Sequence, residues 1–415
     1  MSSPRQNRVL GSGMESSAAG LFDQMNLDDP YPRYAQLREA GRVLHFPLGG
    51  GMAPWVISGY DEVYEALREV RFSSSRASSG IALRGSGEPG DACAPPPADL
   101  GASMIFSDPP DHSRLRGLVS KAFTPRRILE LRPQLKAIVY ELLAPAAARG
   151  GIELMEEFAG PLPAAVIGEL LGVPRKDLER FRRWSKEILG GAGPMGESRA
   201  GPAALALGQY IAGIVAERRK EPKEDLISGM IAAQEGSERL SDTELLSTSV
   251  LLLIAGFETT TNLIGNGVLA LLRNPDQLER LRQDRDLLPT AIEEFLRYDS
   301  PVQLIARRTK EPSPLAGELV PAGATVLLLL GAANRDPRAF PEPDRFDVGR
   351  KGSAHLAFGW GIHHCLGAPL ARLEAEVAFE ALLECFPTWT TDSAAIARRA
   401  NPMLRGLSRL PLACL

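Results

Sequence analysis

The sequence predicts a mainly α-helical protein with a smaller strand-rich part, and three features support this. Apolar residues recur at helical spacing through residues 125–300. Within that region, residues 241–273 form one long segment bounded by helix start and stop signals. Short strand-like runs lie near residues 43–59 and 324–331, so strands make up the minor part.

The N-terminal region contributes a polar tail followed by the first strands. Residues 1–17 are small and polar, lack the apolar stretch of a secretory signal, and are expected to be disordered. The runs VLHFPL and PWVISG, bounded by glycine, predict two strands. We expect residues 18–415 to form a single domain whose strands lie mainly near residues 40–60 and 300–330.

Two segments rich in glycine and proline interrupt the regular structure. Residues 73–101 form a stretch long enough to be a functional or disordered loop, and residues 185–203 separate two predicted helices. The first segment contains Gly85, Gly87 and Gly90 in the GxGxxG spacing of dinucleotide-binding proteins. That fingerprint needs a strand before it and a helix after it, and the surrounding prolines favour neither, so we do not predict a nucleotide site.

The segment from residue 241 to residue 273 predicts a helix roughly 45 Å long, enough to cross a whole domain. It opens with a capping box formed by Ser241 and Glu244, and it stops before Asn274-Pro275.

The middle of this helix, AGFETTT from Ala255, is unusual for a buried element. Gly256 and three threonines lower helix stability, and Glu258 places a charge in an apolar run. One interpretation is that the helix reaches the surface here, with Glu258 solvated. The other is a kink at a functional site. There Gly256 would admit a flat group, a threonine hydroxyl would bond to the carbonyl four residues earlier, and Glu258 and Thr259 would form a proton relay.

The charges and cysteines limit the class of protein. The 47 basic and 51 acidic residues give a net charge of −4, which offers no reason to expect nucleic acid or an anionic membrane as a partner. The longest apolar run, VLLLIAG from Val250, is too short to span a bilayer. The four cysteines are scattered without a CxxC pair, so we expect a reduced, cytoplasmic protein.

Cys365 stands apart because it lies in the glycine-rich segment FGWGIHHCLG, residues 358–367. The adjacent side chains of His363, His364 and Cys365 cannot all reach one tetrahedral ion, and no second Cys or His pair completes a zinc site. A catalytic nucleophile would need a separately placed histidine base, and no nucleophile signature is present. A single thiolate on a glycine-rich loop before a helix suits an axial ligand of haem iron.

At this point the chain resembles a known family, the cytochrome P-450 haem-thiolate monooxygenases of the soluble bacterial type. The resemblance extends from about residue 20 to the C-terminus. FGWGIHHCLG is similar, position for position, to the family's FxxGxxxCxG haem-binding loop, whose glycines are Gly361 and Gly367 here. The haem contacts that the resemblance implies in this loop include Gly359 and Gly367. The resemblance implies haem b as cofactor, Cys365 as its thiolate ligand, Phe358 shielding the sulfur, and His363 bonding a haem propionate.

Other segments resemble the family independently. DPPDHSRLR and LIARRT imply further propionate contacts, and AGFETT is similar to the segment that borders the haem and activates oxygen. EEFLR and PEPDRFD resemble a buried structural network. The residues implied are, for propionate binding, His112, Arg116 and Arg307; for the haem border, Ala255 and Gly256; for the acid and alcohol of the relay, Glu258 and Thr259; and for the network, Glu294, Arg297 and Arg345.

The resemblance implies insertion of one oxygen atom from O2 into a C–H bond of a bulky apolar molecule, such as a fatty acid, terpenoid, macrolide or drug-like aromatic compound. No flavin or iron–sulfur segment is present, so we expect electrons from a ferredoxin and its NAD(P)H-dependent reductase. A monomer that binds neither nucleic acid nor membrane is expected.

The basic residues that could form a docking face, or could equally be solvated charges, are Arg114, Lys121, Arg126 and Arg127. The residues implied at the substrate pocket are Val302, Leu304, Ile305, Met403 and Leu404.

Four alternatives remain open. A peroxide-driven relative or a haem-thiolate sensor would not need a proton relay, so Glu258 and Thr259 count against both. A cysteine hydrolase or a zinc protein lacks the partner ligands that its chemistry requires.

Overall fold

The computed structural model describes most of the chain, in the ranges 28–46, 53–75, 100–190, 200–235, 238–352 and 354–414. The polar tail, residues 1–17, and the GxGxxG segment lie outside the described residues.

Helices dominate the described part of the chain, as predicted. Two short helices, α1 (Tyr31–Ala40) and α2 (Tyr60–Arg68), flank the first strands. The α-helices that follow are α3 (Asp111–Ala122), α4 (Pro125–Leu129), α5 (Arg132–Arg149), α6 (Pro161–Leu170), α7 (Leu178–Gly190), α8 (Ala200–Lys220), α9 (Leu226–Ala232), α10 (Asp242–Arg273), α11 (Pro275–Gln283), α12 (Leu288–Tyr298), α13 (Leu330–Ala333) and α14 (Ala368–Cys385).

The strands are short and form several small sheets. The largest sheet has the order β1-β2-β10-β7-β3, in which β2 and β10 are parallel and the other neighbours are antiparallel. The strands are β1 (Val43–His45), β2 (Trp55–Ile57), β3 (Phe72–Ser73), β4 (Gly151–Glu153), β5 (Gln234–Glu235), β6 (Glu238–Arg239), β7 (Ile305–Thr309), β8 (Ser313–Leu315), β9 (Glu318–Val320), β10 (Thr325–Leu328), β11 (Trp389–Thr390), β12 (Ala397–Arg398), β13 (Leu407–Arg409) and β14 (Pro411–Cys414). The strands predicted near residues 43–59 and 324–331 are therefore confirmed.

The long helix α10 has the predicted length and ends. Ser241 and Glu244 form the capping box, each side chain bonding to the other's backbone N–H, and Asn274 ends the helix. Most of α10 is buried in one large apolar core that also includes residues of α5, α6, α12 and α14. By length and composition this helix could also cross a bilayer, contrary to the sequence-based estimate, but 72% of its most apolar window is buried inside the protein. Such burial is typical of a helix in a protein core and not of one that faces lipid.

The segment predicted to break the chain between two helices is shorter than expected. Helix α7 continues to Gly190 and α8 begins at Ala200, so both helices extend into residues 185–203. Residues 191–199 lie outside the described part of the chain.

Candidate haem site

Cys365 lies on a tightly folded loop that leads into α14. Its backbone N–H donates to the carbonyl of Phe358 at 2.9 Å, which closes the loop on itself. Gly359 and Gly361 have φ of 68° and 69°, in the left-handed region that favours glycine. A Cβ at Gly361 would lie 2.6 Å from the carbonyl oxygen of Leu67, so the loop packs directly against α2.

The Cys365 side chain is exposed although it lies deep in the protein, so it faces an internal cavity. Burial raises the pKa of its thiol, while backbone N–H groups of Gly367 and Ala368 and the charges of Arg116 and Arg372 act in the opposite direction. Because burial dominates, a thiolate here requires a further positive charge next to the sulfur. A metal ion would supply that charge.

Phe358 is held by a charged cluster that the sequence analysis did not identify. The guanidinium carbon of Arg372 lies 4.6 Å from the centroid of the Phe358 ring. Arg372 Nε and Nη2 in turn donate to the two carboxylate oxygens of Glu293 at 2.7 and 2.8 Å, and His355 Nε2 lies 3.1 Å from the same carboxylate. These contacts fix the loop to α12.

Basic side chains from separate elements converge near this loop. His112 and Arg116 lie one turn apart on α3, Arg307 lies on β7, and the His112 and His363 ring centroids are 4.3 Å apart. Burial lowers the pKa of Arg307 to about 10, with Asp108 acting against it. Burial, together with Arg307 and His112, lowers the pKa of His363 to about 3.

This basic cluster lacks its anion within the described ranges. His112 is 2% exposed, yet neither ring nitrogen has a hydrogen-bond partner there. Neither Arg116 nor Arg307 forms an ion pair with a described carboxylate, although burial lowers the pKa of both. Half-buried arginines without a carboxylate partner are stabilised by a counter-charge. The cluster therefore fits a ligand that carries carboxylates.

His363 already has one partner, Ser74, whose Oγ lies 3.0 Å from Nε2. Asp108 accepts from the Ser74 backbone N–H at 3.1 Å and from the Ser73 hydroxyl at 2.6 Å, and it pairs with Lys310 at 2.9 Å. The end of β3 is thus tied to the basic cluster. The contact of His363 with a propionate stays a prediction.

The middle of α10 supports a functional site and not a solvated turn. Thr259 Oγ1 donates to the carbonyl of Ala255 at 3.0 Å, which is the predicted bond to the residue four positions earlier. Ala255 is exposed and Thr259 half-buried in an otherwise buried helix, so this strip faces the internal cavity. Glu258 is only 3% exposed and forms an ion pair with Arg399, which makes the solvated interpretation wrong.

Gly256 has a packing role that the sequence analysis did not anticipate. A Cβ there would lie 3.0 Å from Cγ1 of Ile167, so the glycine permits close contact between α10 and α6. The contact of the Gly256 backbone with haem stays a prediction.

The predicted structural network exists, but its third member is Arg350 and not Arg345. Arg297 Nε and Nη2 donate to Glu294 at 2.7 and 2.9 Å, as predicted for an i, i+3 pair on one helix face. Arg350 Nε donates to Glu294 Oε1 at 3.2 Å. The Arg345 side chain is 59% exposed and pairs with Glu342, while its backbone carbonyl accepts from Arg297 and Arg350. The local sequence identified the turn correctly but not which arginine points inward.

Most of the predicted substrate residues lie together. Val302 and Leu404 form an isolated antiparallel β-bridge, Ile305 is half-buried, and Met403 is 38% exposed. Leu304 is an exception, because it is 5% exposed and packs in the separate apolar cluster formed with α1 and β2. Its predicted place in the substrate pocket stays a prediction.

The residues present therefore fit haem b. A cavity-facing thiol, a basic cluster without a described counter-ion, and a polar strip on α10 are the three features that suit such a group. Cys365 would hold the iron, and His112, Arg116 and Arg307 would hold the carboxylates.

Comparisons with known proteins agree with this geometry. A family model described as Cytochrome P450 matches residues 204–396. Cytochrome P450 107B1 from Saccharopolyspora erythraea is 43% identical over 397 residues, covering 94% of this chain and 96% of that protein. The 6-deoxyerythronolide B hydroxylase of the same organism is 42% identical over 399 residues, covering 92% and 96%. The structure of PksS, the bacillaene polyketide synthase cytochrome P450 of Bacillus subtilis, is similar with a TM-score of 0.86 and 36% identity, covering 95% of this chain and 98% of that one.

Proposed function

Because this chain belongs to the cytochrome P450 family, we propose that it is a ferredoxin-dependent monooxygenase that hydroxylates a C–H bond of a bulky, polyketide-like molecule. Its class and its haem b cofactor follow from the family. The electron donor, the substrate class and the role of each residue are our proposal. The observation that carries it is the cavity-facing Cys365, whose thiolate form is disfavoured by burial and favoured by two backbone N–H groups and two arginines.

The proposed haem contacts involve Cys365, Phe358 and the basic cluster. Cys365 binds the iron as thiolate, and Phe358, fixed by Arg372, covers the sulfur. When bound, haem supplies oxygen activation, and a thiolate ligand favours O–O cleavage. The basic cluster orients the group by pairing with its carboxylates.

On the other side of the cavity, Thr259 and Glu258 deliver protons. The Thr259 hydroxyl donates its proton to the Ala255 carbonyl, so its oxygen is free to accept a hydrogen bond from a water molecule and to hold that water at the cavity. Glu258 exchanges protons with that site through its second oxygen, which has no partner among the described residues.

A large apolar molecule is the proposed substrate. Val302, Ile305, Met403 and Leu404 supply apolar surface at the mouth of the cavity. Relatives of similar length include a hydroxylase named for 6-deoxyerythronolide B and a cytochrome P450 of bacillaene synthesis. These two names support a polyketide as the substrate.

For electron delivery we propose a ferredoxin that docks near the Cys365 loop. Arg126 lies on α4, which packs against α14, and its side chain is 90% exposed, although it pairs with Glu130. Arg114 is held by Glu244 and Glu238, so it contributes less free charge than the sequence implied. Exposed charges of this kind mainly affect the rate of association and its salt dependence.

Two alternatives are distinguishable by experiment. A peroxide-driven enzyme would turn over with hydrogen peroxide as fast as with ferredoxin, and a sensor would bind ligands without turnover. The buried Glu258 beside Thr259 favours the O2-dependent enzyme over both.

The first test is an absorption spectrum of the purified protein, reduced and exposed to carbon monoxide. A strongly red-shifted Soret band is expected for the wild-type protein and not for Cys365→Ser. Titration with macrolactones, fatty acids and terpenoids, followed by the spin-state shift, then ranks the substrate classes. A wild-type Soret band typical of histidine-ligated haem would contradict the assignment of Cys365.

A further inference from the structure

We propose that Arg399 is a positioning residue that keeps Glu258 ionised and directs one of its oxygens away from Thr259, so that proton delivery depends on the C-terminal hairpin. This inference rests on the proposed function of Glu258. The contacts between α10 and the hairpin formed by β12, β13 and the turn between them support it.

The ion pair itself is the first observation. Arg399 Nη1 donates to Glu258 Oε1, with the two side chains 22% and 4% exposed. Glu258 Oε2 is buried and has no hydrogen-bond partner among the described residues. A carboxylate this deeply buried stays ionised only when an opposite charge compensates it. The pair therefore leaves a single oxygen, Oε2, for proton exchange.

The arginine is itself held by the hairpin, so it presents a fixed charge. Arg399 Nε donates to the carbonyl of Leu407 at 3.1 Å, and its backbone N–H donates to the carbonyl of Gly406 at 3.1 Å. A Cβ at Gly406 would lie 1.9 Å from Asn262 Oδ1, so the hairpin backbone contacts α10 one turn after Glu258. Two contacts one turn apart fix the hairpin along that face of the helix.

The acid and the alcohol are directed to different partners in this arrangement. Thr259 Oγ1 donates to Ala255, and Glu258 Oε1 accepts from Arg399. Among the described residues no hydrogen bond joins Glu258 to Thr259. The amide of Asn262, which is buried on the same face as Glu258, has no partner there either. Glu258 Oε2 and Asn262 thus form a polar pair that can accept a water molecule between the ion pair and the helix.

The same hairpin turn also reaches the proposed substrate cavity. Asn401 Oδ1 accepts from the backbone N–H groups of Met403 and Leu404 at 2.9 and 3.0 Å, which orders the turn. Its amide nitrogen donates to the carbonyl of Leu189 on α7 at 3.3 Å. A substrate that contacts Met403 therefore touches the element that holds Arg399. The other charged groups near Arg399 are Glu156 and Arg182, which bond to each other at 3.0 Å.

The test compares Arg399→Gln with Arg398→Gln in the haem-loaded protein. Arg398 is the matched control because it is a buried arginine on the same hairpin whose guanidinium reaches Asp299 at 3.4 Å and not Glu258. We expect Arg399→Gln to lower product formed per NAD(P)H about tenfold and to change its pH profile, since general acid–base groups contribute factors of this size or more. Arg398→Gln should leave both unchanged, and Arg399→Lys should restore part of the coupling.

Two further measurements separate a positioning role from a structural one. In the double variant Glu258→Gln/Arg399→Gln, loss of Arg399 should add nothing to the loss caused by Glu258→Gln, because Arg399 acts through Glu258. In difference infrared spectra at neutral pH, a protonated-carboxyl band should appear in Arg399→Gln and be absent from the wild type and from the double variant. This second readout does not depend on turnover.

Several outcomes would overturn the inference. One is that Arg399→Gln forms as much product per NAD(P)H as the wild type, with the same pH profile. The others are that the double variant loses more product per NAD(P)H than Glu258→Gln alone, or that the protonated-carboxyl band is absent from Arg399→Gln. If Arg399→Gln does not fold with haem, Arg399→Lys is measured in its place. An Arg399→Lys variant that has a normal carbon monoxide spectrum but forms no more product per NAD(P)H than expected for loss of the charge would contradict the proposed role of Arg399. Failure of the proposed function looks different, because the wild type would then lack the thiolate-haem spectrum.

Discussion

Arg350 Nε lies 3.2 Å from Glu294 Oε1, so one buried carboxylate is shared by two arginines, Arg350 and Arg297. Arg350 also donates to the carbonyls of Pro341 and Arg345 at 2.8 and 2.6 Å. It thereby ties the segment before the Cys365 loop to α12. A side chain in this position supports the site without touching it.

The network predicts unequal effects at two nearby arginines. Arg350→Gln removes a charge from a nearly buried cluster and is expected to lower the free energy of unfolding by about 3 kcal/mol. Arg345→Gln removes an exposed pair and should change it by less than about 0.5 kcal/mol. Urea unfolding followed by circular dichroism measures both, and equal losses would restore Arg345 as the third member.

The two left-handed glycines of the Cys365 loop offer a second matched comparison. Gly359→Ala should cost roughly 1–2 kcal/mol from backbone strain alone, because the nearest atom to its new Cβ is 3.9 Å away. Gly361→Ala carries the same strain plus a contact of 2.6 Å with the Leu67 carbonyl. We expect the Gly361→Ala variant to lose haem at a lower temperature than the Gly359→Ala variant. Identical haem release from both variants would mean that α2 moves away without cost.

Acid stability should depend on Asp299. Its burial alone would raise the pKa, but Arg405, Arg398 and the Tyr31 hydroxyl outweigh burial and lower it to about 2. A carboxyl with a depressed pKa stabilises the fold above its unfolded pKa of about 3.9, and this stabilisation is lost as pH falls towards 2. The contribution is roughly 2 kcal/mol.

In Asp299→Asn, the free energy of unfolding should depend less on pH between about 4 and 2. Unfolding by urea at several pH values tests this. An unchanged slope would show that other carboxylates, such as Glu293 with its pKa of about 2, dominate acid unfolding.

Removing the Thr259 hydroxyl should separate electron consumption from product formation. In Thr259→Val we expect several-fold less product per NAD(P)H and more hydrogen peroxide, because water is no longer held at the cavity face. Thr261→Val is the control, since Thr261 makes the equivalent bond to Phe257 at 2.9 Å but is 1% exposed. Oxygen uptake, peroxide and product are measured together. Equal coupling in both variants would remove Thr259 from the relay.

Much of the site could be predicted because its signals are local in the sequence. The loop around Cys365, the capping box of α10 and the pair formed by Glu294 and Arg297 each lie within ten consecutive residues, and the structure forms all three. Glycines in the left-handed region and i, i+3 charges have direct physical meaning, so a short segment is enough to identify them.

What could not be predicted depends on contacts between distant segments. The partner of Glu258, Arg399, is 141 residues away, and the partner of His363, Ser74, is 289 residues away. No spacing rule connects such pairs. The direction of a side chain at a turn, as for Arg345 and Leu304, is likewise set by tertiary packing.

Strand pairs in two of the sheets also govern how the chain can fold. Strand β2 lies parallel to β10, with Trp55 opposite Val326, and β4 pairs with β14, with Gly151 opposite Ala413. Neither N-terminal strand has these neighbours until nearly the whole chain has left the ribosome. Pairings of such high contact order form late and slowly, so the helices are expected to condense first. A nascent chain that ends before β10 would leave one edge of β2 unpaired, and an unpaired strand edge is open to pairing with another chain.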